Sequence, residues 1–76
     1  AFGPLGVQKP AHELLGDMLL DIGRPAESLA EYRLSLTREP KRYRSLYGAS
    51  RAAAAAGDRA SESRYARELA LLTKPE

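Results

Sequence analysis

The stretch HELLGDMLLDIGRPAESLAEYRLSLTREP, His12 to Pro40, decides how this chain is read. From Pro10 to Ile22 its apolar residues are Ala11, Leu14, Leu15, Met18, Leu19 and Ile22. They recur at i, i+3, i+4, i+7 and i+8, which predicts an amphipathic helix with one broad buried stripe. Gly23 ends that pattern, since glycine enters the left-handed conformation without penalty. Pro25 restarts a helix at its first turn, with Glu27 where the macrodipole favours an acid. Pro40 stops the second helix and holds Glu39 extended. A helix, a tight turn and a second helix make an αα-hairpin. Gly16 in mid-helix costs about 1 kcal/mol against Ala, so a packing reason for it is expected.

The same design returns from Leu46 to Pro75. Gly57 follows Gly23 by 34 residues, and at that offset Ala26 meets Ala60, Leu19 meets Ala53, Arg33 meets Arg67 and Glu39 meets Thr73. A third helix is expected over Lys41 to Ala56, with Tyr43, Leu46, Tyr47, Ala49, Ala53 and Ala56 as its apolar stripe. The run Ala52 to Ala56 holds helix well and permits close helix approach. Asp58 is a good N-cap for a fourth helix from about Arg59 to Thr73, which Pro75 ends. Its expected buried positions are Ala60, Tyr65, Ala66, Leu69 and Leu72. No strand pattern occurs. A period of this length with a helix on each side of a glycine points to a helical repeat array, an all-α fold.

The spacing within the first copy resembles the tetratricopeptide repeat. Leu15, Gly16, Gly23, Tyr32 and Pro40 fall where that family places Leu-Gly, Gly, an aromatic and Pro, and Leu46, Ala53 and Gly57 fit the second copy. His12 stands where the family has a Trp or another large apolar residue, Leu19 where it has an aromatic, and Ser28 and Ser35 where it has Ala. In the second copy Ser50 replaces the Gly, Ala66 the aromatic, and Glu62 a small residue packed between helices. The resemblance implies two helix-turn-helix hairpins, about 10–40 and 43–75, stacked as a right-handed α-solenoid of the kind found in bacterial proteins. It gives Gly16 the role of letting the paired helix approach closely, and it implies a protein-interaction or scaffolding module. The family's concave surface carries over to Pro10, Glu13, Asp17, Leu20 and Asp21, then Arg44, Tyr47, Arg51, Ala54 and Ala55. The expected partner-binding residues are Glu13, Asp17, Leu20, Asp21, Arg44, Tyr47 and Arg51, acidic in the first copy and Arg/Tyr-rich in the second. Such a groove suits an extended peptide with a basic portion and an acidic or C-terminal portion. Some relatives clamp a C-terminal carboxylate with Lys and Asn, and this chain has no Asn.

Composition narrows the alternatives. A chain of 76 residues makes one small domain near the lower limit for a self-sufficient core. It has no cysteine, so no disulfide or thiolate metal site supplements that core. No apolar run approaches the roughly 20 residues of a membrane span, and Ala1 to Pro10 lacks the basic region of a signal peptide. A cytoplasmic setting is the default expectation. Residues 1–9, with Gly3, Pro4 and Gly6, read as an extended lead-in or linker whose Phe2, Leu5 and Val7 are available to pack on the first hairpin. A chain opening on Ala1 without Met is expected to be a piece of a longer or processed protein. Net charge is +2, but residues 9–40 hold 4 basic against 6 acidic residues and residues 41–74 hold 8 against 3.

Candidate chemistry is sparse. Glu13, Asp17 and Asp21 line one helix face beside His12, but no loop supplies the carbonyls and turn glycine of a calcium site, so no metal or cofactor is expected. His12, at a position the family fills with a core aromatic, is expected to be packed and to point away from these acids. With no cysteine and no Gly-x-Ser-x-Gly elbow, neither nucleophilic catalysis nor enzyme activity is expected. Arg38, Lys41, Arg42, Arg44 and Arg51 interleave with Tyr43 and Tyr47, a pattern that also suits nucleic acid. Tyrosines at that helical spacing are expected to place at least one ring in the core. Repeats bury their faces on neighbours, so two of them leave an apolar edge, expected at Leu69 to Leu72. This edge is the basis of an alternative in which the last helix docks on a larger domain or on a second copy.

Overall fold

The structure is a computed structural model that describes residues 10–73. The expectations for the lead-in (residues 1–9), for Phe2, Leu5 and Val7, and for Pro75 lie outside those residues. Four helices make up the fold: α1 (Ala11–Asp21), α2 (Pro25–Arg38), α3 (Tyr43–Ala56) and α4 (Arg59–Thr73). No strand occurs among the described residues. Helix α3 starts at Tyr43, later than Lys41, because Arg42 is still extended at its N-cap.

The two glycine turns are built alike. Gly23 has φ 81° and Gly57 φ 78°, a conformation that strains any residue with a Cβ. Around Gly23 the amide of Arg24 donates to the Leu19 carbonyl at 2.8 Å and that of Gly23 to Leu20 at 3.1 Å. Around Gly57 the Asp58 amide donates to Ala53 at 2.9 Å and the Gly57 amide to Ala54 at 3.2 Å. Each bond in the second turn lies 34 positions beyond its counterpart in the first. Pro25 starts α2 at its first turn, and Asp58 caps α4 by accepting from the Ser61 amide at 3.0 Å.

Helix α1 packs on α2, α2 on α3 and α3 on α4, with α1 also touching α3; α1 and α4 do not approach each other. The core they share is small: Leu29, Tyr32, Leu46, Ala49, Ala52, Ala53 and Tyr65. Tyr32 is its hub. A Cβ on Gly16 would stand 3.0 Å from the Tyr32 ring, and one on Gly48 only 2.3 Å from it. The ring is therefore held between two helices that can come this close only because both lack a side chain there. The packing reason expected for Gly16 is this ring.

The largest departure from expectation is the orientation of α1. Leu14, Leu15, Met18 and Ile22, read as its buried stripe, are 43–68% exposed, and Ala11 is exposed too. The face turned inward carries Gly16 and Glu13 instead. Glu13 is 1% exposed and reaches Arg42 twice, at 2.6 Å through Nε and 3.3 Å through Nη2. Ser45 also donates to Glu13 at 2.6 Å. Because that bond uses the Ser45 proton, Ser35 must be the donor in the 2.7 Å contact between the two hydroxyls. Ser28 donates to the Gly16 carbonyl at 2.6 Å. Ser28 and Ser35 thus keep the small volume of alanine and add buried hydrogen bonds. A buried carboxylate is tolerable only when it is paired and hydrogen-bonded, and this one is both.

Smaller corrections follow from the same packing. His12 does not fill a core position; its half-exposed ring bonds Glu31 of α2 through Nδ1 at 2.7 Å, turned away from Asp17 and Asp21. Tyr43 and Tyr47 are both about half exposed, so neither is a core ring. Ala56 of α3 and Ala60 and Ala66 of α4 are exposed, while Tyr65 is buried and Leu69 partly so. At the C-terminal end of α4 Leu71 and Leu72 are exposed, so Leu72 is not the buried position expected of it and stands instead on the uncovered apolar edge.

Candidate functional site

Between α1 and α3 lies an open groove of about 350 Å³, lined by Asp17, Leu20 and Asp21 on one side and Tyr43, Arg44, Tyr47 and Arg51 on the other, with Tyr32 and Gly48 at its floor. Six of the seven residues expected at a partner-binding surface meet here. Glu13 does not: it is buried beneath the groove as the partner of Arg42 and Ser45, and is not offered to a ligand. Nor do Pro10, Ala54 and Ala55 line it.

Helix α3 sets the basic wall. Tyr43, Tyr47 and Arg51 follow one another at i, i+4 and i+8, one line along a helix. The two rings are parallel within 5° with centroids 6.4 Å apart, and the Arg51 guanidinium lies 5.7 Å from the Tyr47 ring centre. This ladder pre-orders three long side chains that would otherwise lose rotamer freedom on binding. Among the described residues neither Arg44 nor Arg51 has an ion-pair partner, and Asp21 opposite has none either.

The floor is held by a hydrogen bond. Tyr32 donates its hydroxyl to Asp17. Burial first, then this bond and the carboxylate's charge, push the Tyr32 hydroxyl well above its ordinary range, with Ser28 and then Arg51 opposing. Tyr32 therefore stays a protonated donor and fixes the direction of Asp17. Glu13 raises the Arg42 guanidinium above its ordinary value, chiefly by accepting its hydrogen bonds. That pair fastens the start of α3 to α1 and so sets the spacing of the groove walls.

Three groove residues, Tyr32, Tyr43 and Gly48, lie outside the seven expected there. Tyr32 is expected as a structural repeat position, and Tyr43 on the apolar stripe and in the pattern that suits nucleic acid. Gly48 was hidden because the 34-residue period puts Ser50, not Gly48, opposite Gly16. Chemically the groove offers two cations, two carboxylates and two aromatic faces, an equipment for recognition. Among the described residues no group of three or more metal-ligating side chains occurs. No described helix is long and apolar enough to cross a membrane.

No protein-family model, curated protein or solved structure gives a significant match to this chain.

Proposed function

We propose that the chain is a pair of tetratricopeptide-like repeats stacked as a short right-handed α-solenoid, and that its groove binds an extended segment of a protein partner. The observation that carries this reading is the division of charge across the groove. Asp17 and Asp21 face Arg44 and Arg51 over a floor of Tyr32 and Gly48, with the Tyr43–Tyr47 ladder on the same wall as the arginines. A peptide fits by placing an acidic side chain or terminal carboxylate on Arg44 and Arg51 and an apolar or proline face on the tyrosines. A lysine or arginine then lies at Asp21. Two opposite charges across a narrow groove select for ligands that carry both signs, since a wrong charge meets repulsion. The groove offers no nucleophile beside a base, which favours binding over catalysis.

Nucleic acid shares the arginines and the stacking rings, but its phosphates would run past Asp17 and Asp21. The test is a peptide-array screen against the chain and its Tyr47→Ala and Arg51→Ala variants, with single-stranded RNA as the competing ligand. Loss of the hits in both variants with unchanged helical circular dichroism is expected. Truncating a central aromatic anchor typically costs about 2 kcal/mol, roughly 30-fold in affinity. Peptide binding that ignores both substitutions, or steeply salt-dependent RNA binding without peptide binding, defeats the reading.

A further inference from the structure

The two ends of the helix stack differ, and the 34-residue correspondence relates them. Inside the chain α3 lies on α2. There α3 contributes small buried residues, Gly48, Ala49 and Ala52, and α2 contributes large ones, Leu29 and Leu36. Thirty-four positions before Gly48, Ala49 and Ala52 stand Leu14, Leu15 and Met18 of α1, all exposed. Thirty-four positions after Leu29 and Leu36 stand Ser63 and Ala70 of α4, also exposed. At these positions the free faces carry the volumes of the internal interface with large and small exchanged; buried Leu46 of α3, with His12 as its counterpart, is the exception. If α1 of a second copy lay on α4 as α3 lies on α2, its leucines and methionine would meet small residues, so the space would fill without overlap.

Charge points the same way. Within the chain Arg33 bonds Ser61 at 2.7 Å and Tyr65 at 3.3 Å. The equivalent of Arg33 is Arg67, and the equivalents of Ser61 and Tyr65 are Glu27 and Glu31. In a copy stacked on α4, Arg67 would thus face two carboxylates. Arg67 is exposed and has no ion-pair partner among the described residues, and Glu27 is exposed. Helix α1 carries no lysine or arginine at all, whereas α4 carries Arg59, Arg64 and Arg67.

We infer that copies of this chain associate head to tail, the α1 face of one seated on the α4 face of the next, with Arg67 paired to Glu27. Such a contact uses two different surfaces and does not close on itself, so it generates open chains of copies. It is separate from the groove and stands whether or not the groove binds peptide.

Sedimentation equilibrium of the 76-residue chain over a wide concentration range tests it. The average mass should rise past that of a dimer of the 8.3 kDa chain without reaching a plateau. Met18→Glu removes the α1 face and Ala70→Glu the α4 face, so each variant alone should stay monomeric. An equimolar mixture should form a dimer and stop there, because only one pair of intact faces remains. Glu27→Arg and Arg67→Glu, on exposed side chains, should each weaken association about tenfold, and the two together should restore it. A wild-type chain monomeric at every concentration overturns the inference. So does self-association of Ala70→Glu with Met18→Glu monomeric, which would mean α1 pairing with α1. A mixture that stays monomeric, or a charge reversal without restoration, also counts against it.

Discussion

Gly48→Ala is the most informative single change in the fold. The added Cβ would stand 2.3 Å from Cζ of Tyr32, 2.4 Å from Cε1 and 2.8 Å from the hydroxyl oxygen. Carbon pairs are most stable near 3.5–4.0 Å, so the ring has to retreat by roughly 1 Å. It has nowhere to go. A Cβ on Gly16, on α1, would already stand 3.0 Å from the same ring, and Tyr32 is 1% exposed. Overpacking a tight core costs about 1–3 kcal/mol and sometimes more, while replacing a mid-helix glycine by alanine returns about 1 kcal/mol of helix propensity. We expect a net loss of about 2 kcal/mol, from a total of about 4–11 kcal/mol for a chain of this length. At about 4–8 °C per kcal/mol, that lowers Tm by about 8–16 °C. The assay is thermal and urea unfolding followed by circular dichroism, with Tyr32→Leu and the double variant alongside. Removing the ring should cancel the penalty, so that Gly48→Ala becomes neutral or stabilising in the Tyr32→Leu background. A Gly48→Ala chain as stable as wild type, or a penalty that persists without the ring, would refute the packing argument.

Other changes probe the polar interior. Arg42→Ala strands the buried Glu13 carboxylate with Ser45; breaking a buried pair costs about 3–5 kcal/mol, and we expect the low end because Arg42 is partly exposed, measured as a fall in urea midpoint. Adding Glu13→Gln should recover part of that loss, a non-additivity that unrelated sites would not show. Tyr32→Phe removes the bond to Asp17 and should cost about 1–2 kcal/mol at neutral pH. Since the folded Tyr32 hydroxyl is raised above its ordinary 10.0, its contribution is complete below that pH and fades above it, so the variant should lose less stability than wild type between about pH 10 and 12. The hydrogen bonds from the Ser61 amide and hydroxyl hold Asp58 below its ordinary 3.8, so the stability it supplies is present above that pH and lost as pH falls through the lower folded value. Asp58→Ala should therefore lower Tm at pH 7, with a gap to wild type that narrows in acid titrations as pH falls below 3.8.

Local chemistry was legible in the sequence wherever it decides local structure. Gly23, Gly57, Pro25 and Asp58 act within a turn of their own position, and the two glycine turns and the starts of α2 and α4 follow from them. The groove was legible through the resemblance, which carries the concave positions over to both helices; helical spacing by itself pairs only Asp17 with Asp21, and Tyr47 with Arg51. What periodicity could not show is which face of α1 this chain covers. Leu14, Leu15 and Met18 form an apolar face, but the inward position goes to Glu13, whose partner Arg42 lies 29 residues away. A buried carboxylate looks prohibitive until its non-local partners are known. Gly48 was missed for a related reason. The ring it accommodates comes from α2, and Gly48 lies two residues away from the position opposite Gly16 in the 34-residue period. Of the run Ala52 to Ala56, whose composition permits close approach, Ala52 and Ala53 lie fully buried in the core, while Ala54, Ala55 and Ala56 are exposed.

The groove's role in recognition is tested most directly by amide chemical-shift mapping, with a labelled chain titrated by a short extended peptide that carries an arginine at one end and a free carboxylate at the other. The shifts should concentrate at Asp17, Leu20, Asp21, Tyr43, Arg44, Tyr47 and Arg51. Uncharged and single-sign peptides should produce smaller ones at the same concentration. Shifts centred on α4, or equal responses to every peptide whatever its charge, would contradict the proposed recognition.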